Sequence, residues 1–137
     1  MIERTPATAV PCPCGSALPY ERCCGALHQR FADDGRLMAP SAEALMRSRY
    51  SAYVLDQLDY LRASWHASTR PATLAPNEPG LHWLGLQIKQ HQQQDETHAT
   101  VSFVARSKLG GRAHRMVETS RFVREDGQWF YLDGDVS

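Results

Sequence analysis

The chain has 137 residues, of which 42% are hydrophobic and 22% charged, the composition of one globular domain with room for a small appendage. Fifteen basic and fifteen acidic residues give zero formal net charge, so nucleic acid is not an expected partner. No apolar run approaches the ~20 residues that span a bilayer, and the first ten residues contain no apolar export segment, so we expect a cytoplasmic protein.

All four cysteines fall in one short stretch, at Cys12, Cys14, Cys23 and Cys24. The two pairs can fold back so that four sulfurs meet, an arrangement that suits tetrahedral Zn²⁺. Disulfides within each pair would be strained, cross-pairing would need an oxidising compartment, and no Cys-x-x-Cys opens a predicted helix for a redox role. The spacing therefore favours one structural zinc ion per chain, without which this arm has too few apolar residues to fold.

Residues 29–40 are polar and rich in turn-forming residues, and we interpret them as a linker. Ser41 then supplies a helix N-cap, with Glu43 in the first turn. Apolar residues recur after it at intervals of three or four, the pattern of an amphipathic helix, at Met46, Tyr50, Val54, Leu58, Leu61 and Trp65. This pattern allows one long helix or two. Three prolines between 67 and 80 predict a loop.

After residue 80 the hydrophobic period changes to two, which predicts strands. Leu84, Leu86 and Ile88 alternate with Trp83, Gly85 and Gln87, and further alternating runs follow at 100–105, 116–123 and 129–132. Gly110-Gly111 and Asp126-Gly127 are typical hairpin turns between such runs. Helices followed by a meander of antiparallel strands place the chain in the α+β class.

Several segments resemble one bacterial family. The four cysteines, together with Gly15, Ser16, Tyr20 and Gly25 at the same spacing, resemble the SEC-C zinc motif of the SecA translocation motor. The whole chain resembles the YchJ family, in which that motif precedes a nuclear-transport-factor-2-like domain, at residues 45–50 (LMRSRY), 83–86 (WLGL), 101–106 (VSFVAR), 120–122 (SRF) and 127–134 (GQWFYLDG).

The resemblance implies an N-terminal zinc knuckle, followed by helices packed on a curved antiparallel sheet that forms a cone. It places the zinc arm and linker in residues 1–40 and the cone domain in residues 41–137. It also implies two helices broken near Asp56, and a concave pocket open at one end of the cone. The family has no established activity.

We expect a non-catalytic module whose zinc arm docks a protein partner, connected by analogy with secretion or the ribosome. Related motifs are often lysine-rich between their cysteine pairs, whereas this one is close to neutral, which makes RNA unsuited to it. Leu18 and Leu27 are the candidate apolar contacts of the arm. The sequence is also compatible with a homodimer.

The alternative is an enzyme that uses the pocket for acid–base chemistry on a small molecule. Its candidate pocket residues are Trp65, His66, Trp83, Glu118 and Arg121. His66 or Glu118 would be the acid or base, and Arg121, Arg49 or Arg47 would hold an anion.

Spacing argues against a single site built from these residues. Glu118 and Arg121 lie three apart and point to opposite faces of one strand. Arg47 and Arg49 diverge on their helix, so we expect one to form an ion pair and the other to face solvent. No nucleophile–base pair is visible, so we expect no turnover.

Overall fold

The computed structural model describes residues 10–136. A 3₁₀ turn over Tyr20–Arg22 leads into three α-helices, which are α1 (Cys24–Asp34), α2 (Ala42–Val54) and α3 (Leu58–Ala63). Four strands follow, which are β1 (His82–Gln93), β2 (His98–Leu109), β3 (Arg112–Glu125) and β4 (Gln128–Val136). The strands form one antiparallel sheet in the order β1-β2-β3-β4. This arrangement confirms the predicted α+β class and the curved sheet packed on helices. Within residues 10–136, no helix has the length and apolarity to cross a membrane.

The predicted linker is wrong over residues 29–34, because they belong to α1. The helix ends where Gly35 adopts a left-handed conformation (φ 76°) and donates its backbone N–H to the Phe31 carbonyl at 2.8 Å. Phe31 packs against the buried Tyr60 of α3, with the ring centroids 5.6 Å apart. This apolar contact holds in place a helix whose exposed side is mostly polar.

The helical region after residue 41 is two helices, as the family resemblance implied. Ser41 caps α2, since its side chain accepts a hydrogen bond from the Ala44 N–H at 3.1 Å. Between α2 and α3, Asp56 adopts a positive φ of 55°, and the Gln57 N–H returns to the Ala52 carbonyl at 2.8 Å. The break turns α3 so that Tyr60 and Leu61 become buried.

The predicted alternation in β1 is wrong at its start. A β-bulge between Trp83 and Gly85 shifts the register by one residue, so Leu84 is 56% exposed while Trp83 packs against the core. Leu86 and Ile88 do pack against the core, as predicted. A bulge reverses which residues face inward on one side of it, and hydrophobic alternation alone cannot reveal it.

Two backbone contacts join the helical layer to the far edge of the sheet. The His66 N–H donates to the Tyr131 carbonyl at 2.7 Å, and the Tyr131 N–H donates to the Ser64 carbonyl at 2.8 Å. The segment after α3 therefore covers part of β4, which would otherwise be an open edge. The loop that follows it reaches back over the mouth of the cone.

The buried core is continuous across residue 40. Cys14 and Cys24 lie in the same buried cluster as Leu45 of α2 and Phe103 of β2. The segment that carries the cysteines thus packs against α2 and belongs to the buried core of the domain. The division at residue 40 remains a prediction.

Candidate functional site

The four cysteine sulfurs converge, as the sequence spacing predicted. Their Sγ atoms all lie within 4.8 Å of one another, and Cys14 and Cys23 are 3.6 Å apart. A tetrahedral site with Zn–S bonds of about 2.3 Å separates its sulfurs by about 3.8 Å. All four cysteines are free, and three of them are buried. The cluster of Cys12, Cys14, Cys23 and Cys24, called the cysteine cluster below, therefore has the ligand number, chemistry and spacing of a metal site.

A small hairpin and the start of α1 hold the cysteine cluster. The Cys12 N–H donates to the Leu18 carbonyl at 2.9 Å, which closes the hairpin between the two cysteine pairs. Gly15 turns the chain within it, with a φ of 82°. Gly25 is needed for a different reason, because a Cβ there would lie 2.5 Å from the Tyr20 carbonyl oxygen. The close approach of α1 to the 3₁₀ turn thus requires glycine.

Polar groups from α2, together with Ser16 of the hairpin itself, lie beside the sulfurs. Arg47 donates from Nη1 to the Cys14 carbonyl at 2.9 Å and lies 3.9 Å from its sulfur, while Glu43 pairs with its Nε at 3.0 Å. Ser51 Oγ lies 3.5 Å from Cys12 Sγ, and Ser16 Oγ lies 3.1 Å from Cys23 Sγ. Such neighbours orient metal ligands and offset their charge.

Two groups next to the cysteines in the chain, Arg22 and the Gly15 N–H, do not take this role. Arg22 is exposed, and the Gly15 N–H donates to the Cys12 carbonyl at 3.2 Å. The cation beside the sulfurs is instead Arg47, which the sequence places 23 residues after the last cysteine. Only the packing of α2 against the arm brings them together.

Burial and hydrogen bonds between sulfurs shift the pKa values of Cys14, Cys23 and Cys24 in different directions. A hydrogen bond from the Cys24 thiol to Cys14 lowers the pKa of Cys14. The same hydrogen bond, followed by burial, raises the pKa of Cys24. Burial also raises the pKa of Cys23. Of these three thiols, Cys14 is thus the one that ionises most readily. A divalent cation is the group that allows further thiolates to form at such a site.

His28 ties α1 to α2 beside the cysteine cluster. Its Nε2 faces the Ser48 carbonyl at 2.8 Å, so this nitrogen donates, and its Nδ1 accepts from the Tyr20 hydroxyl at 2.6 Å. The ring is 5% exposed, and burial lowers the pKa of His28. Because both ring nitrogens already form hydrogen bonds, His28 is a neutral residue that connects α1 to α2 and offers no free nitrogen to a metal.

The cone contains a pocket of about 420 Å³ between α2, the inner face of the sheet and the loop at Ala75 and Asn77. Asn77 fixes this loop, since its Nδ2 donates to the Tyr53 carbonyl at 2.6 Å and its Oδ1 accepts from Trp83 Nε1 at 3.3 Å. The walls are mostly aromatic and aliphatic, and include Met46, Tyr50, Phe103 and Ala105. The volume is within the range of small-molecule sites.

Three of the five candidate pocket residues line this pocket: Trp65, Trp83 and Glu118. His66 does not line it. Its ring lies elsewhere, where Nε2 donates to Glu125 at 2.8 Å and Nδ1 accepts from Ser68. Arg121 lies on the opposite face of β3 from Glu118, as predicted. It pairs there with Asp133 and with Asp135, the latter at 2.8 Å.

The prediction for Arg47 and Arg49 was half wrong. Arg47 forms the expected ion pair, but Arg49 is 2% exposed and lies at the pocket. Its guanidinium carbon lies 4.6 Å from the ring centroid of Tyr131 and 5.1 Å from that of Trp65, distances at which cation–π attraction is effective. Burial lowers its pKa. The helical spacing of Arg49 from Met46 (three residues) and Tyr53 (four residues) was the signal that could have placed it on the inward face.

Glu118 is held against β4 inside the pocket. Its Oε2 accepts from the Ser120 hydroxyl at 2.7 Å and from the Tyr131 hydroxyl at 3.2 Å. Gly134 makes this position available, because a Cβ there would lie 2.2 Å from the same oxygen. Burial, followed by the charge of Glu118, raises the pKa of Tyr131. The carboxylate is therefore engaged by two donors of the sheet.

Known protein families match both the segment that carries the cysteine cluster and the domain that contains the pocket. Residues 41–134 match the model of the YchJ middle domain, which is described as NTF2-like, and residues 10–26 match the SEC-C motif. A SEC-C motif containing protein from Rhodopseudomonas palustris has a solution structure similar to this one, with a TM-score of 0.77 and 31% sequence identity. That likeness covers 92% of this chain and 98% of the other.

A crystal structure of a SEC-C motif containing protein from Psychrobacter arcticus gives a TM-score of 0.74 at 26% identity, over 95% of this chain and 83% of the other. Among curated relatives, a UPF0225 protein of Bordetella pertussis is 56% identical over 98% of this chain and 99% of its own length. A UPF0225 protein of Methylibium petroleiphilum is also 56% identical, over 99% of this chain and 96% of its own. The chain therefore belongs to the YchJ family, also named UPF0225, with an N-terminal SEC-C motif and an NTF2-like domain.

Proposed function

We propose that this protein is a zinc-stabilised, non-catalytic module whose N-terminal arm docks a protein partner. The observation behind the proposal is the convergence of four cysteine sulfurs within 4.8 Å, three of them on buried residues. Four protein ligands fill a tetrahedral zinc site and leave no open position for water or substrate. One zinc ion per chain then has a structural role, and free thiols as its ligands fit a reducing cytoplasm.

The surface of the arm supports a protein rather than RNA as the partner. Leu18, at the hairpin between the cysteine pairs, is 49% exposed, and Val10 on the same hairpin is 66% exposed. Glu21 and Arg22 are the charged residues between the pairs, and their charges cancel. Leu27 is half-buried against the core, which leaves Leu18 as the better apolar contact. An apolar, neutral surface suits a protein contact and offers little to phosphates.

The pocket geometry supports the non-catalytic part of the proposal. An acid–base mechanism would need His66 and Glu118 to open into one cavity, but only Glu118 lines the pocket. His66 is engaged by Glu125 near the end of the sheet. Arg121 is also remote, on the outer face of β3 with its two aspartates. His66, Glu118 and Arg121 thus occupy three separate places. Of the residues suggested for acid–base chemistry or anion binding, only Glu118 and Arg49 line the pocket.

The proposal is tested by capture of a partner with the zinc-loaded full chain, together with elemental analysis. We expect one zinc per chain, and a partner that is lost with Leu18→Ser. Leu55→Ser is the matched control, because Leu55 is 43% exposed but lies at the end of α2, outside the hairpin. Cys24→Ser should abolish both zinc and capture. Equal capture by all variants, or protein that binds the partner fully without zinc, would refute the proposed role of the arm.

A further inference from the structure

The pocket of the cone is lined by donor groups that residues 10–136 leave unpaired. Arg49 donates from Nη1 to the Leu61 carbonyl at 2.8 Å and to Ser64 Oγ at 2.7 Å, and makes no ion pair with any carboxylate of residues 10–136. Its Nε and Nη2 donate no hydrogen bond to that part of the chain. Trp65 Nε1 is buried and has no hydrogen-bond partner either. Both side chains line the same pocket.

Such groups are unusual in a folded interior. A buried guanidinium normally has a carboxylate partner, and a buried indole N–H normally finds an acceptor, because burial removes the water that would satisfy them. The rings of Tyr131, Trp65 and Tyr53 offset part of the charge of Arg49, at centroid distances of 4.6, 5.1 and 6.0 Å. They supply no acceptor for the free N–H groups. The pocket therefore has unused donor capacity beside an apolar wall.

The acceptors of the pocket do not meet this need. Glu118 already accepts hydrogen bonds from Ser120 and Tyr131, and Gly134 allows it to lie against β4. Asn77 Oδ1 is occupied by the indole N–H of Trp83. What the pocket lacks is an acceptor group placed between the Arg49 fork and the Trp65 indole.

We propose that the pocket binds a small, largely apolar molecule with one carboxylate, whose oxygens accept from Arg49 and Trp65. A planar carboxylate fits the fork geometry of a guanidinium and carries the opposite charge to Arg49. A dianionic phosphate would leave an excess negative charge near Glu118. The aromatic and aliphatic walls, including Tyr50, Phe103 and Ala105, accommodate the apolar body in the 420 Å³ cavity. This inference goes beyond the proposed function and does not depend on what the arm docks.

The test uses a matched pair of probes, 2-naphthoate and 2-naphthamide, titrated into ¹⁵N-labelled zinc-loaded protein. The two probes share their ring system and differ in charge. We expect naphthoate to bind at least about tenfold more tightly, the ratio that charge-assisted hydrogen bonds typically give over neutral ones. The indole N–H signal of Trp65 should move on binding, because it gains an acceptor. The signal of Trp129 should stay in place, since this buried residue does not line the pocket.

Variants separate the groups involved. Glu118→Gln removes the nearby negative charge and should tighten naphthoate binding severalfold, while naphthamide binding changes little. Arg49→Lys keeps the charge but loses the fork and should weaken naphthoate binding about tenfold. Arg121→Gln, on the outer face, is the matched control and should change neither.

Three results would overturn the inference. They are equal affinities for the two probes, no saturable shift with either, or binding that leaves the Trp65 indole signal in place. Should Arg49→Lys fail to fold, the comparison of the two probes on the native chain and on Glu118→Gln still decides the matter. Failure here would leave the docking role of the arm untouched, because that role is measured by partner capture.

Discussion

Replacing His28 tests how much this neutral ring contributes to holding α1 against the domain. His28→Ala removes hydrogen bonds to the Ser48 carbonyl and the Tyr20 hydroxyl, each worth about 0.5–1.5 kcal/mol. It also empties the space of a ring that is 5% exposed, and truncation of a buried aromatic to alanine typically costs about 3–5 kcal/mol. Since histidine is smaller than phenylalanine, we expect a total loss of about 3–5 kcal/mol in the free energy of unfolding. Urea unfolding in excess zinc measures it.

The same residue predicts a pH dependence with a definite sign. Burial lowers the pKa of His28 from the ordinary value of 6.5, so the folded state holds the ring neutral while the unfolded state protonates it near pH 6.5. The stability that this ring contributes is therefore complete above pH 6.5. It is lost as the pH falls below that value toward the folded-state pKa.

Because the cysteine thiolates also respond to pH, the measured quantity is the difference between the native chain and His28→Gln at each pH. This difference should shrink between pH 7.5 and pH 5.5. Gln29→Ala, at an exposed neighbouring position on α1, is the control and should change stability by no more than about 0.5 kcal/mol. A His28→Ala variant as stable as the Gln29→Ala control, or a pH-independent difference, would refute the role assigned to His28.

Three further predictions concern the cysteine cluster. Arg47→Ala should weaken zinc retention about 10–100-fold against a competing chelator, because it removes a group that lies beside the metal ligands. Arg62→Ala, at an exposed position, should leave zinc retention unchanged, and equal retention by the two variants would exclude a role for Arg47. Gly25→Ala should disrupt the arm, because its Cβ would lie 2.5 Å from the Tyr20 carbonyl oxygen, and unchanged zinc content would contradict that packing. Cys24→Ser should lose zinc and raise amide exchange over residues 11–28, while the domain from residue 41 onward stays folded. Loss of all cooperative unfolding in this variant would show instead that the arm is integral to the core.

Sequence reasoning succeeded where a pattern is local. The cysteine spacing predicted the convergence of the four sulfurs, and the Ser41 cap with the apolar stripe from Met46 located α2. The alternating runs and glycine turns gave the four strands in their order. In each case neighbouring residues in the chain impose the geometry, so the signal is present in the sequence.

It failed where a distant contact overrides the local pattern. The polar residues of α1 look like a linker until Phe31 packs against Tyr60 across the chain. The bulge at Trp83 depends on how β1 meets β2, and it exchanges the faces of Leu84 and Trp83. Arg49 carries a charge, which favours an exposed position, yet three aromatic rings from different segments enclose it. The helix contact and the bulge are not visible from the spacing of nearby residues. For Arg49, helical spacing indicated the inward face, but it could not show the rings from other segments that make burial of the charge possible.

The burial of the cysteine cluster against the domain has a consequence for synthesis of the chain. The thiols are made first, but the groups that cover them come later: Ser51 beside Cys12, the Leu86 carbonyl near Gly15, and the Phe103 region of the shared core. Roughly 80 residues separate Cys24 from Phe103, so at about 5–20 residues per second the thiols wait roughly 4–16 s for their cover. During that interval they are open to oxidants and to thiophilic metals other than zinc. The nascent arm, rather than the finished protein, is therefore the form most vulnerable to damage.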